Sequence, residues 1–285
     1  MILDLKATAE DVMRGVEWLK EFGESNNLSD KAIFALMLAM EECASNIVHH
    51  AYQGDASQTF QLRAEFTGDA VMLELRDHGP EFDPTRHLQA PSGARREAHG
   101  NWGLQLVRRY MDRIDYRREE NQNILRLTKG GCSNSAGSAE AHSFPQNESV
   151  IHKPKVPMPL ETQILKHVDP QHAGSTTVKL IGSLDTATAP ELERQLIPVL
   201  AEGVKELVFD LAELKFVSSA GLRVFSSTRK QLRQRGGQAA FIHMQPQIQE
   251  VFEIMKSLPG IAIFKDMNEL DRYLSARQRS YSQSL

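Results

Sequence analysis

A glutamate and an asparagine four residues apart, Glu42 and Asn46 in MEECASNIVHH, come late in a segment that otherwise reads as a buried helix. A carboxylate and a carboxamide on one side of such a helix need polar partners, from the protein or from a ligand. In a second stretch, VMLELRDHGPEFDP, Val71, Leu73 and Leu75 alternate as in a strand that stops at Asp77, two residues before Gly79. An aspartate at a strand end can accept a hydrogen bond from an exocyclic amine, and a following glycine lets a flat ring approach the backbone. A third stretch, HGNWGLQLVRRYMD, sets Gly100 and Gly103 before a helix with Leu104, Val107 and Met111 on its inner face. Glycines ahead of a helix leave backbone N–H groups open to phosphate, with the helix dipole in support. Singly each signal is weak, because a DxG is ordinary turn chemistry and a helix end often carries a Glu or Asn. Their order along one chain is far more specific.

These residues need elements to place them. The pattern predicts a strand near 2–5, helices over 9–23 and 30–51, strands at 59–66, 70–77 and 124–128, and a helix over 102–111 between the last two strands. In the long helix, Ile33, Met37, Met40, Ala44, Ile47 and Ala51 form one stripe, and Glu42 and Asn46 fall opposite it. Ala35, Leu38 and Ala39 make the first turns apolar on that opposite side too, so the helix is expected to be covered on both faces. His50 reads as a histidine at the helix end.

From Gly130 to about Leu160 the chain turns small, polar and then proline-rich, as a linker does. Beyond it, strands near 163–168, 177–181, 206–210, 239–242 and 261–264 alternate with amphipathic helices, the pattern of an open α/β unit. Two domains are also what 285 residues suggest, and their two patterns differ, so no internal repeat is expected.

A formal net charge of -4 with 25% charged residues points to neither nucleic acid nor an acidic surface as partner. The two cysteines, Cys43 and Cys132, have no metal or disulfide spacing. The opening MILDLKATAEDVMRG is acidic where a signal peptide is basic and then apolar, and no stretch approaches 18 consecutive apolar residues. A cytoplasmic protein without a membrane partner is the expectation.

The three stretches in this order resemble the GHKL, or Bergerat-fold, ATP-binding domain, most closely the branch of anti-sigma factor serine kinases, over residues 1–130. EECASNIVHHAY matches the asparagine box, DHGPEFDP the first glycine box and GNWGLQLV the second. The resemblance implies ATP and Mg2+, with Asn46 binding the metal, Glu42 as general base, Asp77 on the adenine amine, Gly79 beneath the ring, and Gly100 and Gly103 at the phosphates. Magnesium keeps waters and bridges phosphates, so one carboxamide oxygen is a sufficient protein ligand. A serine hydroxyl must lose its proton as the γ-phosphoryl moves, which a carboxylate can accept. Only about 40 residues precede Glu42, too few for the paired helices of sensor histidine kinases, and nothing after residue 130 looks like the transducer of topoisomerase, chaperone or mismatch-repair relatives.

After the linker, a strand, a glycine turn and a helix begun near Ala189-Pro190 are followed by KELVFDLAELKFVSSAGLRVFSSTRKQL, a buried strand, a loop and a helix opened by SSAG. Asp210, Phe216, Gly221 and Leu222 are similar to the corresponding run of the STAS domain, the fold of anti-sigma factor antagonists, over residues 161–277, with 278–285 as a tail. The fold class expected is therefore α/β in two domains, a Bergerat-fold α/β sandwich followed by a STAS domain. By the same resemblance Ser219 is the phosphoacceptor, exposed at a helix N-terminus, although Ser218 stands where the family has Asp and Ala220 follows.

Three functions remain open at this point, the third being simple ATP hydrolysis with water in place of serine. One is a partner-switching protein serine/threonine kinase fused to an antagonist, phosphorylating a STAS serine in cis or in trans and controlling a sigma factor or a cognate STAS or kinase protein. Another is a nucleotide-sensing binding module without catalysis, favoured by Ser218 and by a second glycine box in which Asn101 and Trp102 separate Gly100 and Gly103 where the family more often has further glycines, and opposed by the retention of both Glu42 and Asn46. Homodimerisation is implied by the family resemblance alone.

Overall fold

Short-range capping fixes the first helices of the chain. In the computed structural model, strand β1 (Ile2–Lys6) leads into helix α1 (Ala9–Ser25), capped by Thr8, whose side chain accepts the Asp11 N–H at 3.1 Å. Asp11 in turn accepts the Lys6 N–H at 2.5 Å, so the turn between strand and helix is closed from both sides. Ser29 caps α2 (Asp30–Asn46) in the same way through the Ala32 N–H. The structure describes residues 1–88, 102–133, 160–166, 175–255, 262–266, 269, 270 and 272. They fall in two units, 1–157 and 158–285.

In the first unit, β2 (Thr59–Thr67), β3 (Ala70–Asp77), β4 (Arg113–Glu119) and β5 (Gln122–Lys129) join β1 in an antiparallel sheet of order β1-β2-β3-β5-β4. One face carries Leu62, Leu73, Leu75 and Leu127 into a single core with Val16, Leu36, Met40 and Val107 from α1, α2 and α4 (Trp102–Tyr110). A short helix α3 (Pro84–Leu88) follows β3. On the other face Arg63, Glu74, Arg126 and Asp115 stand in cross-strand register, and the Glu74 carboxylate is buried beneath Arg76 and Arg126. Burial raises the pKa of Glu74, but the hydrogen bonds and charges of Arg126 and Arg76 outweigh it, so the carboxyl sits below its usual range.

The second unit is a five-stranded sheet of order β10-β9-β8-β7-β6. The strands β7 (Ser175–Leu184), β8 (Glu206–Val217), β9 (Gln238–Ile242) and β10 (Ala262–Ile263) run parallel, and β6 (Glu161–Lys166) is antiparallel to β7. Helices α5 (Ala189–Ala201), α6 (Ser219–Gln234) and α7 (Pro246–Met255) link its strands among the described residues. Phe209, Phe225, Phe241 and Phe252 meet with ring centroids 4.9 to 5.6 Å apart and anchor α6 and α7 on the sheet.

The differences from the sequence reading have local causes. The expected single helix over 30–51 changes at Ile47 into a π-helical turn, Ile47–Ala51, closed by the Tyr52 N–H on the Ile47 carbonyl at 2.9 Å. The strand β4 went unread because RIDYRRE offers only Ile114 and Tyr116 as inward-facing bulky residues. Its hairpin turns through Glu120 and Asn121, both at positive φ, a two-residue turn that usually recruits glycine or asparagine. The packed core of the first unit runs past residue 130, since Cys132 is fully buried and its backbone bonds Asp69 and Ser29. Residues 134–159 of the expected linker, and the whole of the expected tail, 278–285, lie outside the described residues.

Candidate functional site

The π-helical turn directly follows Asn46 and changes the facing of everything after it, a distortion often found at functional sites. Asn46 is half-buried, and with Ile47, His50 and Ala51 it forms one wall of a cavity of about 200 Å³. The opposite wall is Asp77, Pro80 and Phe82 from the end of β3 and the loop beyond, and Leu104 of α4 closes one side. That volume is below the roughly 300–1,000 Å³ of a whole small-molecule site, so it suits a flat base better than a complete nucleotide.

Asp77 is buried at 7% exposure. Its Oδ1 accepts the Gly79 N–H at 2.8 Å and the Asn123 Nδ2–H at 2.9 Å. Burial pushes the Asp77 carboxyl above the usual carboxylate range, and the Asn123 and Gly79 bonds with the Arg118 charge only partly oppose it. Gly79 is required by contact rather than by torsion. A Cβ there would lie 2.6 Å from the Ala51 Cβ and 2.9 Å from Asp77 Oδ1. The loop is also tied to the helix side by Tyr52, whose hydroxyl accepts the His78 N–H at 2.8 Å and donates to the Thr59 carbonyl at 2.9 Å.

Glu42 lies one helical turn before Asn46 on the same side of α2 and is buried at 4% exposure, but it does not line this cavity. Its charge is felt at Cys43, whose thiol is pushed well up by burial first and by Glu42 second, which keeps Cys43 protonated. Gly103 is the second residue of α4, inside the helix rather than ahead of it as the sequence reading had it. Gly100 lies outside the described residues. Among the described residues no cluster of three or more His, Cys, Asp or Glu side chains could hold a metal. The Asn46 carboxamide on the cavity wall fits a magnesium ion held chiefly by phosphate oxygens and water.

Sequence reasoning missed the residues behind Asp77. Tyr116 and Arg118 on β4 and Asn123 on β5 stand on the cavity side of the hairpin, and Tyr116 and Asn123 line it. A strand assignment for RIDYRRE would have set Arg118 opposite Asn123, which itself pairs with Asp77 across β3 and β5.

In the second unit Ser218, not Ser219, is the N-cap of α6, accepting the Ala220 N–H at 3.3 Å. Ser219 is the first helical residue and is 7% exposed, where an exposed hydroxyl had been expected. The reason is close packing against the end of β7. The Ser218 N–H donates to the Leu184 carbonyl at 3.0 Å, and a Cβ on Gly221 would lie 2.9 Å from that same oxygen. The next residue, Asp185, is buried and accepts the N–H groups of Ala187 and Thr188, both at 2.9 Å, a turn the DTAT run encodes. Burial raises its carboxyl above the ordinary value against those bonds.

An antiparallel sheet backed by α1, α2 and α4, with an asparagine on the long helix facing a buried aspartate at a strand end, defines a kinase-like ATPase domain. The family model "Histidine kinase-like ATPase domain" matches residues 5–129, and the STAS domain model matches residues 166–270. The serine/threonine-protein kinase BtrW of Bordetella bronchiseptica is 30% identical over 135 residues, 47% of this chain and 95% of BtrW. BtrV of the same organism, a candidate anti-sigma factor antagonist, is 41% identical over 75 residues, 26% of this chain and 65% of BtrV. An anti-sigma-B factor antagonist of Staphylococcus epidermidis is 35% identical over 77 residues, 27% of this chain and 71% of that protein. The chain belongs to the histidine kinase-like ATPase family in its first half and to the STAS family in its second.

Proposed function

We propose that this protein is a partner-switching regulator in which an ATP-dependent serine kinase, residues 1–130, is joined by 131–160 to an antagonist-type STAS domain, 161–277. The observation that carries the reading is the cavity between Asn46 and Asp77, in which a buried carboxylate bonded on one oxygen faces a carboxamide able to serve a metal. In this reading Asp77 accepts a hydrogen bond from the adenine amine and Gly79 permits the ring to lie close. Asn46, with Gly100 and Gly103 near the phosphates, would hold Mg2+, which when bound supplies positive charge against the triphosphate. Glu42, a turn deeper on α2, takes the proton from an incoming serine hydroxyl. Partners are a sigma factor or a cognate STAS or kinase protein rather than nucleic acid or membrane, in a cytoplasmic setting, with the kinase unit as the place of any homodimer contact. The helix long and apolar enough to cross a membrane, 30–51, is mostly buried in the core.

A STAS serine is the substrate on this reading, with Ser219 the acceptor in this chain. A phosphate there would meet the N–H groups of a helix start and would add nearly two negative charges to a docking surface. The burial of Ser219 and the presence of Ser218 favour a second reading, in which the nucleotide is sensed and the STAS unit docks a partner without being phosphorylated.

Product analysis with γ-labelled ATP tests the proposal. The expected result is label on protein serine with release of ADP, abolished by Glu42→Ala while nucleotide binding persists. Label released only as free phosphate would mark a simple ATPase, and binding without turnover would establish the sensor instead.

A further inference from the structure

Asp77 can recognise an amine only if one of its oxygens is presented as an unprotonated acceptor. The hairpin behind it is built to do that. Asn123 Nδ2 donates to Asp77 Oδ1 at 2.9 Å and to the Pro80 carbonyl at 3.0 Å. Its own Oδ1 accepts the Tyr116 hydroxyl at 2.8 Å and Arg118 Nη1 at 2.6 Å. With two donors on its oxygen, the amide has one favourable orientation. Turning it over would set its carbonyl oxygen against the carboxylate and its NH2 against the guanidinium. Arg118 extends the clamp, donating from Nη1 to the Gly79 carbonyl at 3.1 Å and from Nη2 to Asn121 Oδ1 at 2.6 Å.

We infer that Asn123, held in register by Tyr116 and Arg118, is a positioning residue that commits Asp77 Oδ1 to the protein, leaves Oδ2 for a cavity ligand, and so selects purines bearing a 6-amino group over those bearing a 6-oxo group. This rests on the reading of the cavity as a nucleotide site and adds to it the source of base selectivity. An ionised carboxylate only accepts, so it bonds the adenine amine and repels the carbonyl oxygen of hypoxanthine. Take away the Asn123 donor, and the carboxylate loses one of the two bonds that keep it ionised against burial. A protonated Asp77 can donate to a 6-oxo group, and discrimination falls.

The test is calorimetric titration of the full chain with ATP and with inosine triphosphate, for the wild type, Asn123→Ala and Tyr116→Phe. The wild type is expected to prefer ATP by about tenfold or more, the scale of a buried hydrogen-bonding site facing a mismatched group. In Asn123→Ala the ATP-to-ITP affinity ratio falls by about tenfold, chiefly through weaker ATP binding. Tyr116→Phe, which removes a single hydroxyl and serves if Asn123→Ala does not fold, shifts the ratio the same way by a smaller factor. A ratio unchanged in the variants, or equal losses for both nucleotides, would overturn the inference by showing a merely structural role. Equal binding of both nucleotides by the wild type would overturn it while sparing the nucleotide reading. A wild type that binds neither would overturn both.

Discussion

The buried Asp77 carboxylate makes an unusual demand, because it is useful to a ligand only when charged and burial opposes the charge. Its pKa in the folded protein lies above that in the unfolded chain. Between those two values the folded state retains a proton that the unfolded state has lost, so above that window Asp77 subtracts from stability, and acidification through it restores what was lost. On the proposed reading, nucleotide binding runs the other way. Protonation removes the acceptor, and affinity for ATP is expected to weaken at mildly acidic pH, at values where an ordinary aspartate is still ionised. Calorimetric titration across pH for the wild type and Asp77→Asn checks this. Asp77→Asn should bind ATP about tenfold to a hundredfold more weakly, as expected for a lost charge-assisted hydrogen bond, and with a flatter pH dependence. A wild-type affinity that does not vary from neutral to mildly acidic pH would remove Asp77 from the base-recognition role.

Among the elements, the strongest periodic segments were legible in advance. The helices at Ala9–Ser25 and Asp30–Asn46 and the strands at Thr59–Thr67 and Ala70–Asp77 follow from their apolar spacing, and Asp77 stands at the strand end where the alternation stops. The π-helical turn was hidden because IVHHA has the composition of an ordinary helix end, and in the fold its last residue, Ala51, lies against Gly79. The β4 strand was hidden by its charges, and with it went half the support of Asp77. The burial of Ser219 was hidden because a Ser-Ser pair at a helix start reads alike whether or not the preceding strand end packs over it. The boundary of the first unit shows the same limit. GGCS looks like linker, yet the Cys132 N–H donates to the Asp69 carbonyl at 3.0 Å and its carbonyl accepts the Ser29 N–H at 2.8 Å. Cys132 Sγ also reaches the Lys129 carbonyl at 3.0 Å from within the core. A first unit ended at residue 129 is therefore expected to be less stable than one ended at 133 by about 2–3 kcal/mol, from two lost backbone bonds and one buried side chain. Urea unfolding of the two truncations measures the difference, and equal midpoints would place Cys132 outside the folding unit.

For the whole molecule, the organising fact is that a kinase-like ATPase unit and a STAS unit share one chain, with the connecting stretch between them. Each has its own sheet and its own buried core, so each can carry a function separately. A random coil of roughly 30 residues spans on the order of 30 Å, so the proposed kinase reading admits a serine in cis as its substrate. The measurement that tests this most directly is incubation of the purified chain with Mg-ATP, followed by intact mass and phosphopeptide mapping beside Ser219→Ala. The account predicts one added phosphate, located on Ser219 and absent from Ser219→Ala. An unmodified chain that nevertheless binds ATP tightly, or a phosphate that persists in Ser219→Ala, would contradict it.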